Sequence, residues 1–229
     1  GQTVQSYGGG VCQVSTTLYN AVLKAELEVT QRSNHSMIVT YVKPSMDAAI
    51  AGDYKDLKFV NNLDAPIYIE GYTVGKDIYF NIYGQETRPS NRKVTYESEV
   101  VSEEDPGTQF VATGDAVGSI STTQGKHMGY VARLWKIVTV DGVEQSRDAI
   151  NKSTYKSSPK IVNVGTASAD PNAVAAVNAA LATGDEATIY ATVAQYSGAG
   201  QTPSEAPAEA PADSSAEAAA ILGLSLIHI

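Results

Sequence analysis

The sequence predicts an α+β module of catalytic type, followed by an elongated all-β module and a disordered tail rich in Ala, Pro and Glu. A single amphipathic helix pattern near the start gives way to strand patterns, which predicts the α+β module. Spaced glycines then punctuate a long strand-like stretch, and the composition finally shifts to Ala, Pro, Ser and Glu. With 229 residues, 43% of them hydrophobic, the chain is long enough to bury the cores of one or two domains.

The first module, residues 1–88, begins with the run GGGVCQVSTTLYNA, which contains the one cysteine of the chain, Cys12. An amphipathic helix is predicted to begin beside the sulfur, because apolar side chains recur at spacings of three and four: Val14, Leu18, Ala21, Val22 and Ala25. A helix N-terminus favours the thiolate, which is the reactive form of cysteine. The pattern therefore indicates a nucleophile, and the alternative is a small buried hydrophobic residue beside a glycine turn.

A base for this nucleophile is also available, because His35 is the one histidine of the first module. It follows the predicted helix and precedes a predicted strand, so it can fold back towards Cys12 and take the thiol proton. Asp47 is a candidate to orient this histidine, as the third member of a triad does. The alternatives are a surface or structural role for His35 and a turn-capping role for Asp47.

Residues close to the nucleophile are candidates for binding the substrate. Gly9 and Gly10 lack a Cβ, so backbone N–H groups there can approach a substrate oxygen closely and form an oxyanion site. Gln13 is a further candidate for that site, and Arg32 is a candidate for holding a substrate carboxylate. The alternative for each is a cap or a solvated side chain. Caps of the helix are expected from two hydroxyl residues, Ser15 and Thr16.

The rest of the first module is expected to be strands. Two short runs rich in β-branched and aromatic residues, 37–42 and 57–60, predict strands. The segment 66–84 predicts a hairpin turned at Gly75 and Lys76. A domain boundary is predicted after it, at the polar, proline-containing run RPSNRK of residues 88–93.

Residues 93–166 predict the all-β module. The strongest signal within it is a hairpin turned at Asp141 and Gly142, a pair that readily adopts the positive φ angles of a tight turn.

Beyond this module the sequence predicts less structure. Residues 167–197 predict a short helical segment, which Asp170 and Pro171 would begin and Gly184 would end. Residues 198–223 predict a flexible linker. The last six residues, LSLIHI, resemble the translation of a sequencing adapter, so residues 224–229 are expected to be an artefact.

Charge and composition exclude several classes of function. The 16 Lys and Arg residues against 25 Asp and Glu give a net charge of −9, which argues against binding of nucleic acid. No His or Cys cluster has zinc-ligand spacing, and GGGVCQ lacks the Lys of a phosphate loop, so we expect no metal and no cofactor. The sequence starts inside a motif and contains no stretch long enough to cross a bilayer. Membrane attachment is therefore expected only through an N-terminal anchor outside this sequence.

The quoted residues resemble the VanW family, which is named for an accessory protein of glycopeptide-resistance clusters. The resemblance spans about residues 1–84 and rests, in this order, on GGGVCQVSTTLYNAVLKAELEV, RSNHS, KPSMDAAI, DLKFVNN and APIYIEGY. The second module, with its spaced glycines and closing PKIVNVG, is similar to the five-glycine domain that often follows VanW. One departure is Ser33, where many relatives carry a second histidine.

The resemblance implies an extracellular, membrane-anchored envelope protein of a Gram-positive bacterium that acts on peptidoglycan stem peptides. It implies an L,D-transpeptidase that cross-links stems through a thioester on Cys12, with His35 as the family's histidine. The alternatives are a cysteine peptidase that cuts wall peptides and a non-catalytic wall-binding or glycopeptide-resistance accessory module. The five-glycine module is implied to be an adhesive or wall-polysaccharide-binding piece. Three aromatic residues are candidates to stack on sugars, Tyr130, Trp135 and Tyr155, and the alternative for Trp135 is packing in the core.

Overall fold

The computed structural model describes residues 9–197, and it is mostly β-sheet over that range. The predicted linker and the adapter-like end, residues 198–229, lie outside the described residues. The helices and strands are, in chain order, α1 (Val11–Lys24), β1 (Glu28–Gln31), β2 (Lys58–Val60), β3 (Tyr68–Val74), β4 (Asp77–Tyr83), β5 (Arg92–Glu104), β6 (Thr108–Ala116), β7 (Ile120–Gln124), β8 (Gly129–Val140), β9 (Val143–Tyr155), β10 (Lys160–Ala167), α2 (Pro171–Thr183) and α3 (Glu186–Tyr196).

Two compact units make up the described residues, and each is formed from two stretches of chain. Unit 1 contains residues 9–103 and 130–155, and unit 2 contains residues 104–129 and 156–197. This division differs from the boundary predicted at residues 88–93, because β8 and β9 belong to unit 1 although they follow strands of unit 2. A polar run marks a change in local composition, whereas a unit is defined by contacts between distant segments.

Helix α1 buries two faces within unit 1. One face packs in a cluster with the end of the hairpin β3–β4, whose buried members are Ala21, Val22, Leu27 and Ile82. The other face packs in a cluster with β8, whose buried members are Tyr19, Leu23, Ala48 and Leu134. The predicted apolar stripe covers the first face only, and Val14, which was predicted to lie in it, is 40% exposed.

The strands of unit 1 confirm both predicted hairpins. Strands β3 and β4 pair antiparallel around Gly75, whose φ is 63°. Strands β8 and β9 pair around Asp141 and Gly142, whose φ angles are 52° and 81°. Strand β5 pairs with β8 on its other side, and β1 pairs with β2.

The two short strands predicted in the first module have different outcomes. The strand predicted at residues 57–60 is confirmed as β2. The strand predicted at residues 37–42 is wrong, because this segment is irregular in the structure. Its β-branched residues favour an extended backbone, but a strand also needs a neighbour to pair with, and none of the described strands pairs with this segment.

Unit 2 combines a three-stranded sheet with two helices. Strand β10 lies between β6, to which it is parallel, and β7, to which it is antiparallel. The predicted helix is confirmed as α2: Asp170 accepts a hydrogen bond from Asn172 N–H, and Gly184 ends the helix at a φ of 68°. Helix α3, which we did not predict as a separate element, completes the core with Val162, Val164, Val177, Ala180, Ile189 and Val193. Within residues 9–197, no helix is both long and apolar enough to span a bilayer.

Candidate active site

Cys12 is the second residue of α1, close to where that helix begins. Gly10 immediately precedes the helix with a φ of 91°, and its carbonyl accepts the first helical hydrogen bond, from Val14 N–H at 2.9 Å. The first turn contains no acidic residue and no side-chain cap. The first N–H groups of any helix lack a helical acceptor, and here no side-chain cap of α1 takes their place. This end of the helix therefore stabilises a negative charge.

A short segment, residues 45–50, connects Cys12 with the other predicted site residues. The Cys12 thiol donates to Ile50 O at 3.6 Å, and Ser15 Oγ donates to Ala48 O at 2.5 Å. Ala48 N–H in turn donates to Thr16 Oγ1 at 3.0 Å. Ser15 and Thr16 were predicted to cap the helix, and that prediction is wrong. Both are buried, and their hydroxyl groups hold this segment against α1 instead.

The same segment carries Asp47, which the structure brings together with His35. Asp47 Oδ2 lies 2.7 Å from His35 Nδ1 and accepts a second hydrogen bond, also of 2.7 Å, from the His35 backbone N–H. The Asp47 side chain is fully buried. Burial opposes its ionisation, but hydrogen bonds from His35 and Tyr155 and the charge of Arg32 outweigh burial and hold the pKa of Asp47 below its usual value.

An ionised Asp47 determines which nitrogen of His35 carries the proton. A carboxylate can only accept, so the Nδ1 atom of a neutral ring must be the protonated one. The lone pair is then on Nε2, which is the atom available to act as a base. The His35 side chain is 18% exposed, so it lies at the edge of the core rather than deep within it.

Tyr41, which sequence analysis did not single out, lies at that nitrogen. Its hydroxyl is 3.3 Å from His35 Nε2, and the two rings meet edge to face with centroids 6.1 Å apart. Burial raises the pKa of Tyr41 to about 12, with a further contribution from the charge of Asp47 and against the opposing effect of a hydrogen bond with Thr16. The hydroxyl therefore remains protonated and donates to Nε2. The sequence did not single out Tyr41 because residues 37–42 were predicted to form a strand, in which a tyrosine is an ordinary residue.

Arg32 does not hold a substrate carboxylate, contrary to the sequence prediction. Its side chain is 7% exposed, and its Nη2 donates to Asp47 Oδ1 at 2.7 Å. Its Nε donates to Asp47 O at 2.6 Å, and Nη1 donates to Ser153 Oγ at 2.8 Å. The guanidinium also lies over the ring of Tyr19, 5.6 Å from the ring centroid. These contacts pair the cation with Asp47 inside the protein, so it already has a buried counterion, although Arg32 also lines one cleft of unit 1.

The aromatic residues predicted to stack on sugars lie in different surroundings. Tyr155 is 2% exposed and cannot stack on a ligand; its hydroxyl donates to Asp47 Oδ1 at 2.5 Å. Trp135 is half-buried, and its indole N–H donates to Glu99 at 2.6 Å. Tyr130 is half-buried and pairs with Tyr155 across β8 and β9. Sequence analysis missed the hydrogen bond from Tyr155 to Asp47 because the two residues are 108 positions apart.

Among the described residues, those around Cys12 are mostly exposed. Cys12 itself is half-buried, and the residues beside it are exposed: Gly9, Gly10, Val11, Gln13 and Val14. Two clefts of unit 1, of about 310 and 360 Å³, include neither Cys12 nor His35 in their walls. Within residues 9–197, no group of three or more His, Cys, Asp or Glu side chains is placed to hold a metal ion.

Two family models match the chain. The one described as VanW like protein matches residues 1–83, and the one described as G5 domain matches residues 91–167. Cys12, His35 and Asp47 lie in the first match, whereas Ser153 and Tyr155 lie in the second.

Individual relatives cover only parts of the chain. Uncharacterized protein YoaR of Bacillus subtilis (strain 168) is 37% identical over 86 residues, which are 38% of this chain and 28% of that relative. The chain therefore spans little more than a quarter of the curated relative that it matches. Among solved structures, the IgA1 protease G5 domain is 26% identical with a TM-score of 0.25, covering 34% of this chain and 94% of that domain. The crystal structure of HP0197-G5 is 20% identical with a TM-score of 0.18, covering 32% of this chain and 99% of the other.

Proposed function

We propose that this chain, which carries a VanW-like domain over residues 1–83 and a G5 domain over residues 91–167, is a cysteine-dependent L,D-transpeptidase of the bacterial cell wall. The two domains together indicate a cell-wall-associated protein of the cell envelope. The proposal adds four things to this: the enzymatic activity, the peptidoglycan stem peptide as substrate, a Gram-positive source and a membrane anchor.

The observation that supports catalysis is the pairing of His35 with a fully buried, ionised carboxylate. A hydrogen bond of 2.7 Å to Asp47 keeps the proton of the neutral ring on Nδ1 and leaves the lone pair on Nε2, the atom that the Tyr41 hydroxyl contacts, to accept a proton. Cys12 contacts Ile50, only three residues after Asp47, so one short segment of chain holds both the nucleophile and the residue that orients the base.

In the first half-reaction the Cys12 thiol loses its proton to His35 Nε2. The Tyr41 hydroxyl, 3.3 Å from Nε2, relays this proton by giving its own to Nε2 and accepting the one from Sγ. The thiolate then attacks the carbonyl carbon of the third residue of a stem tetrapeptide, and a C–S bond forms. When the amide C–N bond breaks, the imidazolium returns its proton to the nitrogen of the departing D-alanine, which leaves a thioester.

In the second half-reaction an amine from a neighbouring stem attacks the thioester carbon. His35 takes the proton from the attacking amine, the C–S bond breaks, and the proton returns to the Cys12 sulfur. The product is a cross-link between two third-position residues. Water in place of the amine would give a free tripeptide, so the same residues would then act as a carboxypeptidase.

Both half-reactions place a negative charge on the carbonyl oxygen. Backbone N–H groups of Gly9, Gly10 and Cys12 are proposed to stabilise this charge, aided by the Gln13 side chain. Each donor of this kind is worth roughly 3 to 4 kcal/mol in acyl-transfer enzymes. The exposed surface around these residues suits a polymeric substrate, which cannot enter a closed cavity.

The proposal is tested by incubating the protein with disaccharide tetrapeptides and separating the products. Cross-linked dimers with released D-alanine from the wild type, and neither product from a folded Cys12→Ala variant, would support transpeptidation. Tripeptides without dimers would indicate a carboxypeptidase. A Cys12→Ala variant that still forms dimers would refute the role of the thiol.

A second candidate function is a non-catalytic module that binds the wall. The thiol hydrogen bond to Ile50 O favours it, because a cysteine held this way can be purely structural. The G5 domain would then hold the protein on wall polysaccharide, and in the catalytic case it would raise the local concentration of substrate. The two functions are separated by a sedimentation assay with insoluble peptidoglycan, in which Cys12→Ala should bind as the wild type does.

A further inference from the structure

We infer that the end of strand β9, although it lies within the sequence of the G5 domain, completes the candidate active site, with Tyr155 and Ser153 as positioning residues for Asp47 and hence for His35. This inference deepens the proposed function and rests on it only for its catalytic consequence. Its structural part concerns residues of unit 1 alone, because residues 130–155 belong to that unit.

Tyr155 acts directly on the carboxylate that orients the histidine. Its hydroxyl donates to Asp47 Oδ1 at 2.5 Å, while Arg32 Nη2 donates to the same oxygen at 2.7 Å. The other oxygen, Oδ2, accepts the two hydrogen bonds from His35. With Oδ1 held on one side, the carboxylate cannot rotate away from the imidazole. Without the Tyr155 hydroxyl, Oδ1 would keep only its bond to Arg32.

The turn that presents Asp47 is also held by β9. Ser45 has a φ of 65°, a left-handed conformation that is unusual for a residue other than glycine. Its N–H donates to the Tyr155 hydroxyl at 2.7 Å, its Oγ donates to Ser153 Oγ at 2.9 Å, and its carbonyl accepts from Asn151 Nδ2 at 3.0 Å. All three polar groups of Ser45 are therefore bound to one strand, which stabilises the unusual turn.

Asn151, Ser153 and Tyr155 lie on one face of β9 because every second side chain of a strand points to the same side. Ser153 and Tyr155 are buried, whereas Lys152 and Thr154 between and beside them are exposed. Ser153 links this face to Arg32 as well, since it accepts from Nη1 at 2.8 Å. A purely structural strand would bury apolar side chains here, but β9 presents an amide and two hydroxyl groups to the site.

The consequence is that residues 1–83 do not contain a complete site. Without β9, Arg32 would lose its hydrogen bond to Ser153 and Asp47 its hydrogen bond from Tyr155, and buried polar groups without partners are costly. The inference predicts that positioning of His35 depends on the identity of residues 153 and 155, whatever reaction the protein performs.

The test uses the whole chain and two readouts, of which only one needs catalysis. The first is the NMR signal of the His35 ring Nδ1–H, assigned with a His35→Gln variant. The second is the rate at which Cys12 is acylated by a disaccharide tetrapeptide. The variant is Tyr155→Phe, which removes one oxygen atom. The matched control is Tyr130→Phe, because Tyr130 pairs with Tyr155 across the two strands and makes none of the hydrogen bonds to Asp47 described above.

We expect Tyr155→Phe to shift or broaden the Nδ1–H signal and to lower the acylation rate constant about 10- to 100-fold, with half-saturation by substrate unchanged. Tyr130→Phe should match the wild type in both. A Tyr155→Phe variant with wild-type ring signals would overturn the inference, even if the protein proves to be a transpeptidase. An altered ring signal in a protein that is never acylated would support the inference and refute the proposed function. If Tyr155→Phe does not fold, Ser153→Ala takes its place with the same expectations.

Discussion

Asp47 contributes a buried charge that four hydrogen bonds keep ionised. Two come from His35, one from Arg32 and one from Tyr155. The carboxylate is therefore the counterion of the buried guanidinium and the acceptor that sets the proton on the imidazole. A single side chain here links stability to the chemistry of the site.

We predict that Asp47→Asn lowers both stability and reactivity. The substitution leaves Arg32 buried without a counterion, which costs about 3–5 kcal/mol of unfolding free energy. It also removes the charge that keeps the His35 proton on Nδ1, so Cys12 acylation should fall. Urea unfolding and the acylation rate measure the two effects. Asp53→Asn is the matched control, because Asp53 is exposed nearby in sequence. Stability within about 0.5 kcal/mol of the wild type would contradict this account of Asp47.

Tyr41 gives a second prediction for a single side chain. Tyr41→Phe removes the hydroxyl beside His35 Nε2 and with it the proposed proton relay. Acylation of Cys12 should slow about 10- to 100-fold, while stability should change by only about 1 kcal/mol. The comparison variant is Tyr54→Phe, whose side chain is 74% exposed. Equal acylation rates in both variants would exclude Tyr41 from proton transfer.

Among single residues, the sequence was sufficient to nominate Cys12, His35 and Asp47, because their types and spacing have chemical meaning. It could not assign Arg32 and Tyr155. Both are polar residues whose roles follow from burial, and the partners of Tyr155 are more than 100 positions away. Local sequence carries no information on such contacts.

Glu26, just beyond the end of α1, binds cations from β5, from β8 and from the connection between β4 and β5. Its carboxylate lies within 3.2 Å of Arg88, 2.6 Å of Arg92 and 2.6 Å of Lys136. Burial opposes its ionisation, but hydrogen bonds from Arg92, Lys136 and Arg88 lower the pKa of Glu26 from 4.5 to about 2. The folded state therefore holds the charged form more strongly than the unfolded state does.

We predict that Glu26→Gln changes the pH dependence of stability. Because the folded pKa is the lower one, the contribution of Glu26 is complete above pH 4.5 and is lost as the pH falls towards about 2. It amounts to at most about 3 kcal/mol, less after solvent screening of the partly exposed cations. Thermal unfolding between pH 2 and pH 7 should show the wild type and the variant converging at low pH. The exposed Glu28→Gln variant should follow the wild type, and a Glu26→Gln curve parallel to the wild type would contradict the assignment.

Among the helices and strands, the sequence correctly predicted the features that depend only on the residues at that position, namely turns and helix starts. Gly75, Asp141 with Gly142 and Asp170 with Pro171 identified two turns and a helix start, because positive φ and capping depend on the residue itself. Residues 37–42 failed because a strand requires a partner. Helix α3 was not separated from α2 because its Ala-rich sequence has little amphipathic contrast.

The division of the whole molecule into two units predicts that their stabilities can be changed separately. Ile189 is fully buried in the core of unit 2. Ile189→Ala should destabilise that unit by about 2–5 kcal/mol, seen as faster hydrogen exchange in α2 and α3. Gln195→Ala, at an exposed position of α3, is the control. Because every residue of the candidate site lies in unit 1, the acylation of Cys12 should be unchanged in both variants.

The order of families along the sequence did not predict the composition of these units. The chain leaves unit 1 after β5 and returns for β8 and β9, so the candidate site draws on both matched domains. A boundary predicted from composition divides the chain at one point in the sequence. The core of a unit depends instead on contacts between distant segments, such as those that β8 and β9 make with the earlier part of unit 1.

The most direct test of the central claim, that Cys12 is a nucleophile for stem peptides, is the mass of the protein after brief mixing with a disaccharide tetrapeptide. The account predicts a mass increase equal to the substrate without its terminal D-alanine, located on the peptide that contains Cys12 and absent from Cys12→Ala. A folded wild-type protein that remains unmodified, or an adduct on any other residue, would contradict it.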